Sequence, residues 1–441
     1  MWVEELTLEN IKCFDKFTLK FSDKSNPRPQ WVTLLSENGG GKTTILQSLA
    51  LMLAGPESAA QLMPRPLGWL NDETTFGKIS IRLHQDPCDS GVFGSTKKRV
   101  SFGYSQHITG SKPITIRNKH HSQPGVHESP DKSLTWLRQN AFSPQSEGWF
   151  AAGYGAFRRL TRTSQVIVPT LDTPSRFSNF LSQFNEGEEL AAFQQWMIYL
   201  DYKDAKKSDP HSRRLFEIGV TAVNKLLPDG VAYDSIDSEG RILFDVRGVK
   251  VPTAGLSDGY RSVLGLAGDL VWRMISAFPE STNPLAEKGV VLIDELDIHL
   301  HPVWQRSIAE LLRSQFPNIQ FIVTTHSPMV AAGAGQDALT LKISNNTEAV
   351  LPITQNLFSM DVDNILKSEA FGLVSTFSPE TTQKLDRLAQ LQGKLQPLSG
   401  GEDVELQQLS LFVSDFNPYG IETYSSDLES RIAKMAARML K

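Results

Sequence analysis

The sequence has few cysteines, no long apolar run and no excess of positive charge. Its 441 residues contain two cysteines, Cys13 and Cys88, which is too few for a disulfide framework and is typical of a protein in the reducing cytoplasm. No apolar run reaches about 18 residues, so we expect no membrane-spanning helix and no membrane partner. Lys and Arg number 44 against 49 Asp and Glu, for a net charge of −5. This balance excludes a uniformly basic nucleic-acid coat but leaves a local basic groove open.

Other patterns are also missing. The first ten residues, MWVEELTLEN, are acidic and strand-like, unlike a signal peptide. There are no sustained heptads, which excludes a long coiled-coil arm, and no internal repeat.

What remains is an ordinary globular composition, with 40% hydrophobic and 21% charged residues, sufficient for a sizeable core. Alternating patterns predict two strands within residues 2–21 and further strands up to about 150, with a mobile loop near 109–130. Three- and four-residue apolar spacing predicts helices over 186–227. Apolar strands alternate with helices in the second half, which indicates a parallel sheet with crossovers.

Residues 36–43 carry the clearest chemical motif, SENGGGKT, placed between an apolar strand and a helix. It matches the phosphate-binding loop G-x-x-x-x-G-K-[ST] except that Ser36 replaces the first glycine. The three glycines Gly39, Gly40 and Gly41 let backbone N–H groups wrap an anion at a helix N-terminus. Lys42 would neutralise phosphates and the Thr43 hydroxyl would hold Mg²⁺. The alternative is a glycine-rich turn that happens to contain a lysine.

Three weaker motifs follow. The apolar strand VVLIDE ends in Asp294 and Glu295, suited to a metal ligand and a general base, although an acidic strand end can simply face solvent. LSDGYR opens a helix, where Ser257 is a good cap and could instead donate, with the Gly259 amide, to a phosphate. TTHSP places His326 after another apolar strand, where a structural role is the usual one.

The order of these four motifs along the chain resembles that of ATP-binding cassette (ABC) ATPases. The opening LENIKCFDKFTLKF resembles RecF- and SMC-like heads, whereas DELDIHLHPVWQRSI and TTHSPMVAAG are similar to OLD-family nucleases and antiphage ATPases. GYGAFRRL, LSDGYRS and MDVDNILKSEAFGLVSTFSPE most resemble the PtuA-type ATPases of Septu and retron-linked defence systems.

That resemblance implies an α/β fold, an ABC-type P-loop head with a mixed or parallel core sheet and an antiparallel β subdomain. It implies a first ATPase lobe over 1–182, a helical insertion over 183–227, a second lobe over 228–350 and a mostly helical accessory region over 351–441. By elimination, the last region is expected to dock a partner.

The resemblance also assigns roles to individual residues. His326 would be the switch histidine that contacts the γ-phosphate, and Glu295 would activate water. Thr43 and Asp294 would hold Mg²⁺, and Ser257 and Gly259 would act on the nucleotide of the other subunit. Residues 297–301 would form the D-loop that crosses the dimer interface. The residues expected to bind ATP in the same chain are Lys12, Asn38, Gly39, Gly40, Gly41, Lys42, Thr43 and Thr44.

The partners implied are a second copy or a higher homo-oligomer, a separate effector such as an HNH nuclease of the PtuB type, and DNA or retron nucleic acid. Basic clusters at Lys97–Arg99, Arg117–Lys119 and Arg158–Arg162 are candidates for nucleic-acid contact, with ordinary surface charge as the alternative. The Q-loop glutamine is left unassigned, because neither Gln139 nor Gln145 stands at a strand end.

Other functions stay open at this stage. An alternative is a RecF/SMC-like ATPase of DNA repair or chromosome maintenance, and a transporter subunit is a weaker one. Asp361 and Asp363 form a D-x-D pair that could suggest nuclease chemistry of the Toprim type, but DVDNIL also predicts a helix start capped by Asp. His120, His121 and His127 could suggest a metal site, although no cysteine or carboxylate completes it.

Overall fold

In the computed structural model, the described residues are 1–22, 26–86, 89, 91, 100–116, 119–142, 146–157, 175–185, 192–205, 210–228, 230–344, 350–394 and 398–416. The strands are β1 (Trp2–Ile11), β2 (Phe14–Lys20), β3 (Trp31–Leu35), β4 (Gly77–Gln85), β5 (Val100–Thr109), β6 (Ile114–Ile116), β7 (Lys119–His121), β8 (Gly125–Glu128), β9 (Phe150–Tyr154), β10 (Val231–Ile236), β11 (Ile242–Val246), β12 (Val249–Pro252), β13 (Gly289–Ile293), β14 (Ile319–Thr324), β15 (Leu339–Ile343) and β16 (Val350–Pro352).

The helices are α1 (Lys42–Ala54), α2 (Pro56–Leu62), α3 (Lys132–Asn140), α4 (Ala192–Ala205), α5 (Pro210–Leu226), α6 (Asp258–Val263), α7 (Asp269–Ala277), α8 (Pro302–Gln315), α9 (Pro328–Gly333), α10 (Val362–Lys367), α11 (Pro379–Gln392) and α12 (Gly400–Phe416). A π-helical turn over Leu264–Gly268 joins α6 to α7. No helix among the described residues is long and apolar enough to cross a membrane.

Two sheets contain eleven of the sixteen strands in the described residues. One is antiparallel with the order β2-β1-β4-β5-β8, and the other has the order β16-β15-β3-β14-β13-β9. In the second sheet every neighbouring pair is parallel except β15 with β16. The strands β3, β9, β13 and β14 are buried throughout, as expected of a parallel sheet covered on both faces. The predicted α/β fold, with a mixed core sheet and an antiparallel β part, is confirmed.

The chain divides into two compact units. The first comprises residues 1–365 and 369–371, and the second comprises 366–368 and 372–441. In the first unit, α4, α5 and the helix from α6 to α7 pack on one apolar core with one face of the parallel sheet. A second core fills the space between α1, the antiparallel sheet and the other sheet face. Within the second unit, α11 contacts α12.

The prediction of a mobile loop near 109–130 is wrong. The described part of this stretch contains β6, β7 and β8, and β8 pairs antiparallel with β5 through His107↔His127 and Ile108↔Val126. These strands have three or four residues, of which at most two are apolar, so they carry little periodicity. β6 pairs with β7 and β8 pairs with β5, and the local pattern does not reveal this pairing.

Asp86 ties the end of the antiparallel sheet to the start of the parallel one. Its carboxylate lies 2.9 Å from Arg28 and 3.0 Å from Lys288, and it accepts a hydrogen bond of 3.2 Å from the indole of Trp2. Burial disfavours the charged form, but the hydrogen bond and charge of Lys288 together with the charge of Arg28 outweigh it and lower the pKa of Asp86 to about 2. The ionised carboxylate is therefore favoured by folding.

This lowered pKa predicts a pH-dependent contribution to stability. Since the folded pKa lies below the unfolded value, the contribution is fully present above pH 3.8 and is lost as the pH falls through about 2. We expect Asp86→Asn to lower the free energy of unfolding by about 1–2 kcal/mol at pH 7, allowing for partial solvent screening, and by progressively less as acid is added. Urea titrations from pH 7 to pH 2.5 measure this. Asp337→Asn is the control, because Asp337 is 85% exposed and lies 4.0 Å from Arg313; an equal loss there would contradict the prediction.

Candidate functional site

The phosphate loop follows β3 and ends at α1. Gly41 precedes the helix with φ of 84°, a left-handed conformation that favours glycine. A Cβ on Gly41 would lie 2.4 Å from the ring of Phe14, so a larger residue is excluded on both counts. Gly39 also has positive φ, at 78°, and the Gly40 N–H donates to the Glu37 carbonyl. The loop is thus shaped by local backbone geometry and by contact with β2.

Lys42 is buried, and its ammonium donates to Ser36 O at 3.0 Å, Ser36 Oγ at 3.1 Å and Glu37 O at 3.3 Å. Ser36, the departure from the glycine pattern, therefore supplies two of these oxygens. Burial lowers the pKa of Lys42, whereas the charges of Asp294, Glu295 and Asp297 act to raise it. A buried cation near carboxylates, at a helix N-terminus, is suited to a polyphosphate accompanied by a divalent ion.

The loop meets the acidic strand end through one direct contact. Thr43 Oγ1 donates to Asp294 Oδ2 at 2.8 Å across 251 positions of sequence. On the other side, Thr324 Oγ1 donates to Asp294 Oδ1 at 2.5 Å. Asp294 is 5% exposed, whereas Thr43 faces solvent. Paired hydroxyl and carboxylate oxygens are the ligands that Mg²⁺ prefers in nucleotide sites, so these residues fit the predicted cation.

Glu295 is held in an unusual backbone conformation. Its φ is 45°, which is rare for a residue with a side chain and is often found at functional sites. Its backbone N–H donates to Thr324 Oγ1 at 2.7 Å, and its side chain is partly exposed. Thr324 was missed by the sequence reasoning, although the signal existed. β13 and β14 are parallel neighbours, so Thr324 and Asp294 end at the same sheet edge.

The remaining nucleotide-binding candidates occupy different positions. Asn38 is exposed on the loop, whereas Thr44 is buried, so Thr44 could reach a phosphate only through its backbone. Lys12 has φ of 46°, and its ammonium lies 4.4 Å above the Trp69 ring and 3.3 Å from Gln47 Oε1, one turn after Thr43.

Ser257 caps α6 and is exposed. No hydrogen bond in the described part of the chain joins it to the phosphate loop. Instead, a Cβ on Gly259 would lie 3.2 Å from the His299 carbonyl, and the Tyr260 ring packs edge-on against Trp304 at 5.2 Å. Ser257, Gly259 and residues 297–301 therefore neighbour one another in a single chain. His326 is exposed at the end of β14, on the same sheet edge as Asp294.

A third glutamine, Gln183, is a candidate for the unassigned Q-loop position. Gln139 lies in α3 and Gln145 falls outside the described residues. Gln183 is 93% buried against Gly153 of β9, its backbone carbonyl accepts from Gln47, and its own amide atoms have no hydrogen-bond partner among the described residues. Sequence reasoning missed it because it lies far along the chain from β9.

Several other candidates have simpler outcomes. Asp361 Oδ1 accepts from the Asn364 N–H at 2.8 Å, which confirms the predicted helix start in DVDNIL. His121 and His127 lie on β7 and β8 with ring centroids 4.1 Å apart, and the described residues contain no group of three or more metal-ligating side chains placed to hold a metal. The basic clusters Lys97–Arg99 and Arg158–Arg162, with Arg117, lie outside the described residues.

Comparison with known proteins identifies a family and several relatives of this chain. A family model described as "AAA domain, putative AbiEii toxin, Type IV TA system" matches residues 94–332, more than half of the chain. The Septu protein PtuA of Bacillus mycoides (strain KBAB4) is 28% identical over 401 residues, covering 88% of this chain and 47% of that protein. The Septu protein PtuA of Bacillus thuringiensis is 24% identical over 388 residues, 86% of each chain.

Shorter and more distant similarities also occur. The "Retron Ec83 probable ATPase" of Escherichia coli is 47% identical over 89 residues, 20% of this chain and 16% of that protein. The chain therefore spans less than half the length of the Bacillus mycoides and Escherichia coli relatives. A solved SMC head bound to the C-winged helix domain of ScpA is 14% identical, with a TM-score of 0.49 over 80% of this chain and 98% of that one.

The phosphate loop lies before the matched range, and the Ser257, Asp294 and His326 motifs lie within it. With this match and this site, the chain belongs to the AAA domain family that this model describes, as an ABC-type AAA ATPase similar to the Septu protein PtuA.

Proposed function

We propose that this chain binds ATP with Mg²⁺ at the phosphate loop and hydrolyses it at a site completed by a second copy. The observation that carries the proposal is the contact between Thr43 and Asp294, which joins the helix N-terminus of the loop to the acidic strand end. α1 and β13 pack into the same apolar core, which places the phosphate loop beside the acidic strand end. The convergence of Thr43 and Asp294 with buried Lys42 is suited to a triphosphate and its cation.

Each residue then has a stated task. Lys42 would leave Ser36 and Glu37 to bind phosphate oxygens, and the loop N–H groups would hold the others. Mg²⁺ held by Thr43 and Asp294 would neutralise phosphate charge. Glu295 would accept a proton from the attacking water, and His326 would contact the terminal phosphate.

The second copy is needed because Ser257 faces outward. The serine and the Gly259 amide lie with residues 297–301, and no hydrogen bond joins Ser257 to its own phosphate loop within the described residues. Two chains related by a two-fold axis would each present this group to the other's nucleotide. If ATP binds the dimer more tightly than the monomer, it shifts the equilibrium toward the dimer by the difference between the two binding free energies.

We further propose that the ATP state controls a separate effector in antiphage defence, an HNH nuclease being the first candidate, with the 351–441 region as its docking platform. The similarity to two Septu PtuA proteins over most of this chain supports defence over DNA repair. Copurification from the native operon, followed by nuclease assays with and without ATP, tests this. An active nuclease in the isolated chain would contradict it.

The nucleotide site itself is tested by Lys42→Ala. We expect this variant to weaken binding of a fluorescent ATP analogue at least tenfold and to abolish turnover, because a charge-assisted contact to the phosphates is lost. Lys78→Ala, on the outer face of the antiparallel sheet beside Glu9, serves as the control for loss of a lysine. Equal affinity of Lys42→Ala and wild type would contradict the proposed site.

A further inference from the structure

Gln305 of α8 uses its whole side-chain amide to join two loops. Its Nε2 donates to the carbonyls of Asp297 at 3.2 Å and Leu300 at 2.9 Å. Its Oε1 accepts from Ser327 Oγ at 2.7 Å. A side-chain amide has two N–H donors and a carbonyl oxygen with two lone pairs, and here both its donor and its acceptor groups are engaged. Gln305 therefore connects the 297–301 loop to the residue directly after His326.

The residue before His326 is connected to the same loop. The Asp297 carboxylate accepts from the Thr325 hydroxyl and, at 3.2 Å, from the His326 backbone N–H. Ser327 is meanwhile fixed as the cap of α9, since its hydroxyl accepts from Met329 and Val330. Both neighbours of His326 are therefore connected to the 297–301 loop, Thr325 directly and Ser327 through Gln305.

The 297–301 loop lies beside the surface around Ser257 and Gly259, so a partner that binds this surface would also contact the loop. A Cβ on Gly259 would lie 3.2 Å from the His299 carbonyl. The Tyr260 ring packs against Trp304, which directly precedes Gln305. His299 has φ of 64°, a conformation that surrounding structure must impose. A partner bound to this face would contact the loop, and residues 325–327 are hydrogen-bonded to that loop directly or through Gln305.

We propose that Gln305 is a positioning residue that couples the 297–301 loop to His326, so that His326 reaches its working geometry when a second copy orders the loop. The inference rests on the proposed function, because it assigns a control to that same site. It places the control in a side chain that does not contact nucleotide. Small displacements of a catalytic group can lower rates by about a hundredfold, so the coupling is measurable.

The test is Gln305→Met, which keeps the length of the side chain and removes its three hydrogen bonds. We expect kcat for ATP to fall at least roughly tenfold while KM changes less than about threefold, since the phosphate loop is untouched. Gln315→Met, ten residues along the same helix, should match wild type. In a His326→Ala background, Gln305→Met should add less than about a twofold loss, because Gln305 acts through His326.

Three results would overturn the inference. The first is turnover by Gln305→Met within twofold of wild type, and the second is a full tenfold loss that persists in the His326→Ala background. The third is a loss of ATP binding by Gln305→Met at an unchanged melting temperature. If Gln305→Met melts lower than wild type, Gln305→Glu decides instead, since it keeps the size of the side chain and an acceptor for Ser327, but its carboxylate cannot donate to the two carbonyls; it should show the same kcat loss. A wild-type chain that does not hydrolyse ATP would contradict the proposed function itself, which is a separate outcome.

Discussion

Glu295→Gln is expected to bind ATP and Mg²⁺, to hydrolyse ATP at least about a hundredfold more slowly than wild type, and to accumulate as a closed dimer. A general base contributes roughly 10²–10⁴-fold to a rate, and glutamine cannot accept the proton. Glutamine preserves the size of the side chain, and the backbone N–H bond to Thr324 is unaffected. Because ATP is not hydrolysed, it would stay bound between two copies, and the equilibrium would remain on the side of the dimer.

Gel filtration with light scattering measures the assembly, with and without ATP, alongside a phosphate-release assay. Glu310→Gln is the matched control, since Glu310 is exposed on α8 and carries the same charge change. If Glu295→Gln elutes at the same mass with and without nucleotide, the site shared between two copies is wrong, whatever the turnover rate.

Mixing two inactive variants should restore activity. Lys42→Ala removes the phosphate contact within one chain, and Ser257→Arg places a bulky cation where the partner's nucleotide is expected. Each variant alone should be inactive. In a mixed dimer, the intact phosphate loop of the Ser257→Arg chain faces the intact Ser257 of the Lys42→Ala chain, so one of two sites is whole. An equal mixture should regain about one quarter of wild-type turnover, because about half of the dimers are mixed and each has one working site.

A chain carrying both substitutions provides the control for the mixing experiment. Mixed with the Lys42→Ala chain, it should restore nothing, since neither copy then has a working phosphate loop. Turnover by the Lys42→Ala and Ser257→Arg mixture that merely equals the sum of the separate variants would place Ser257 outside the nucleotide site. Full activity of Ser257→Arg alone would do the same.

Motifs set by local backbone chemistry were predictable. The phosphate loop needs only a strand, glycines and a helix start in succession, and the structure places it between β3 and α1 with Gly41 in the left-handed conformation. The Asp361 cap was predictable for the same reason. The strands β6 to β8 were not, because they are too short and polar to show a periodic pattern, and their pairing, β6 with β7 and β8 with β5, appears only in the structure.

The sequence by itself determined the composition of the site: a lysine after three glycines, two acids ending an apolar strand and a histidine ending another. Tertiary structure alone decided which of these side chains touch. The 2.8 Å contact from Thr43 to Asp294 depends on β3, β14 and β13 being parallel neighbours. The bridge of Thr324 to both Asp294 and Glu295 depends on the parallel register of β13 and β14. The three hydrogen bonds of Gln305 depend on how α8 packs against two loops. Such contacts are set by packing between distant segments, which no local pattern encodes.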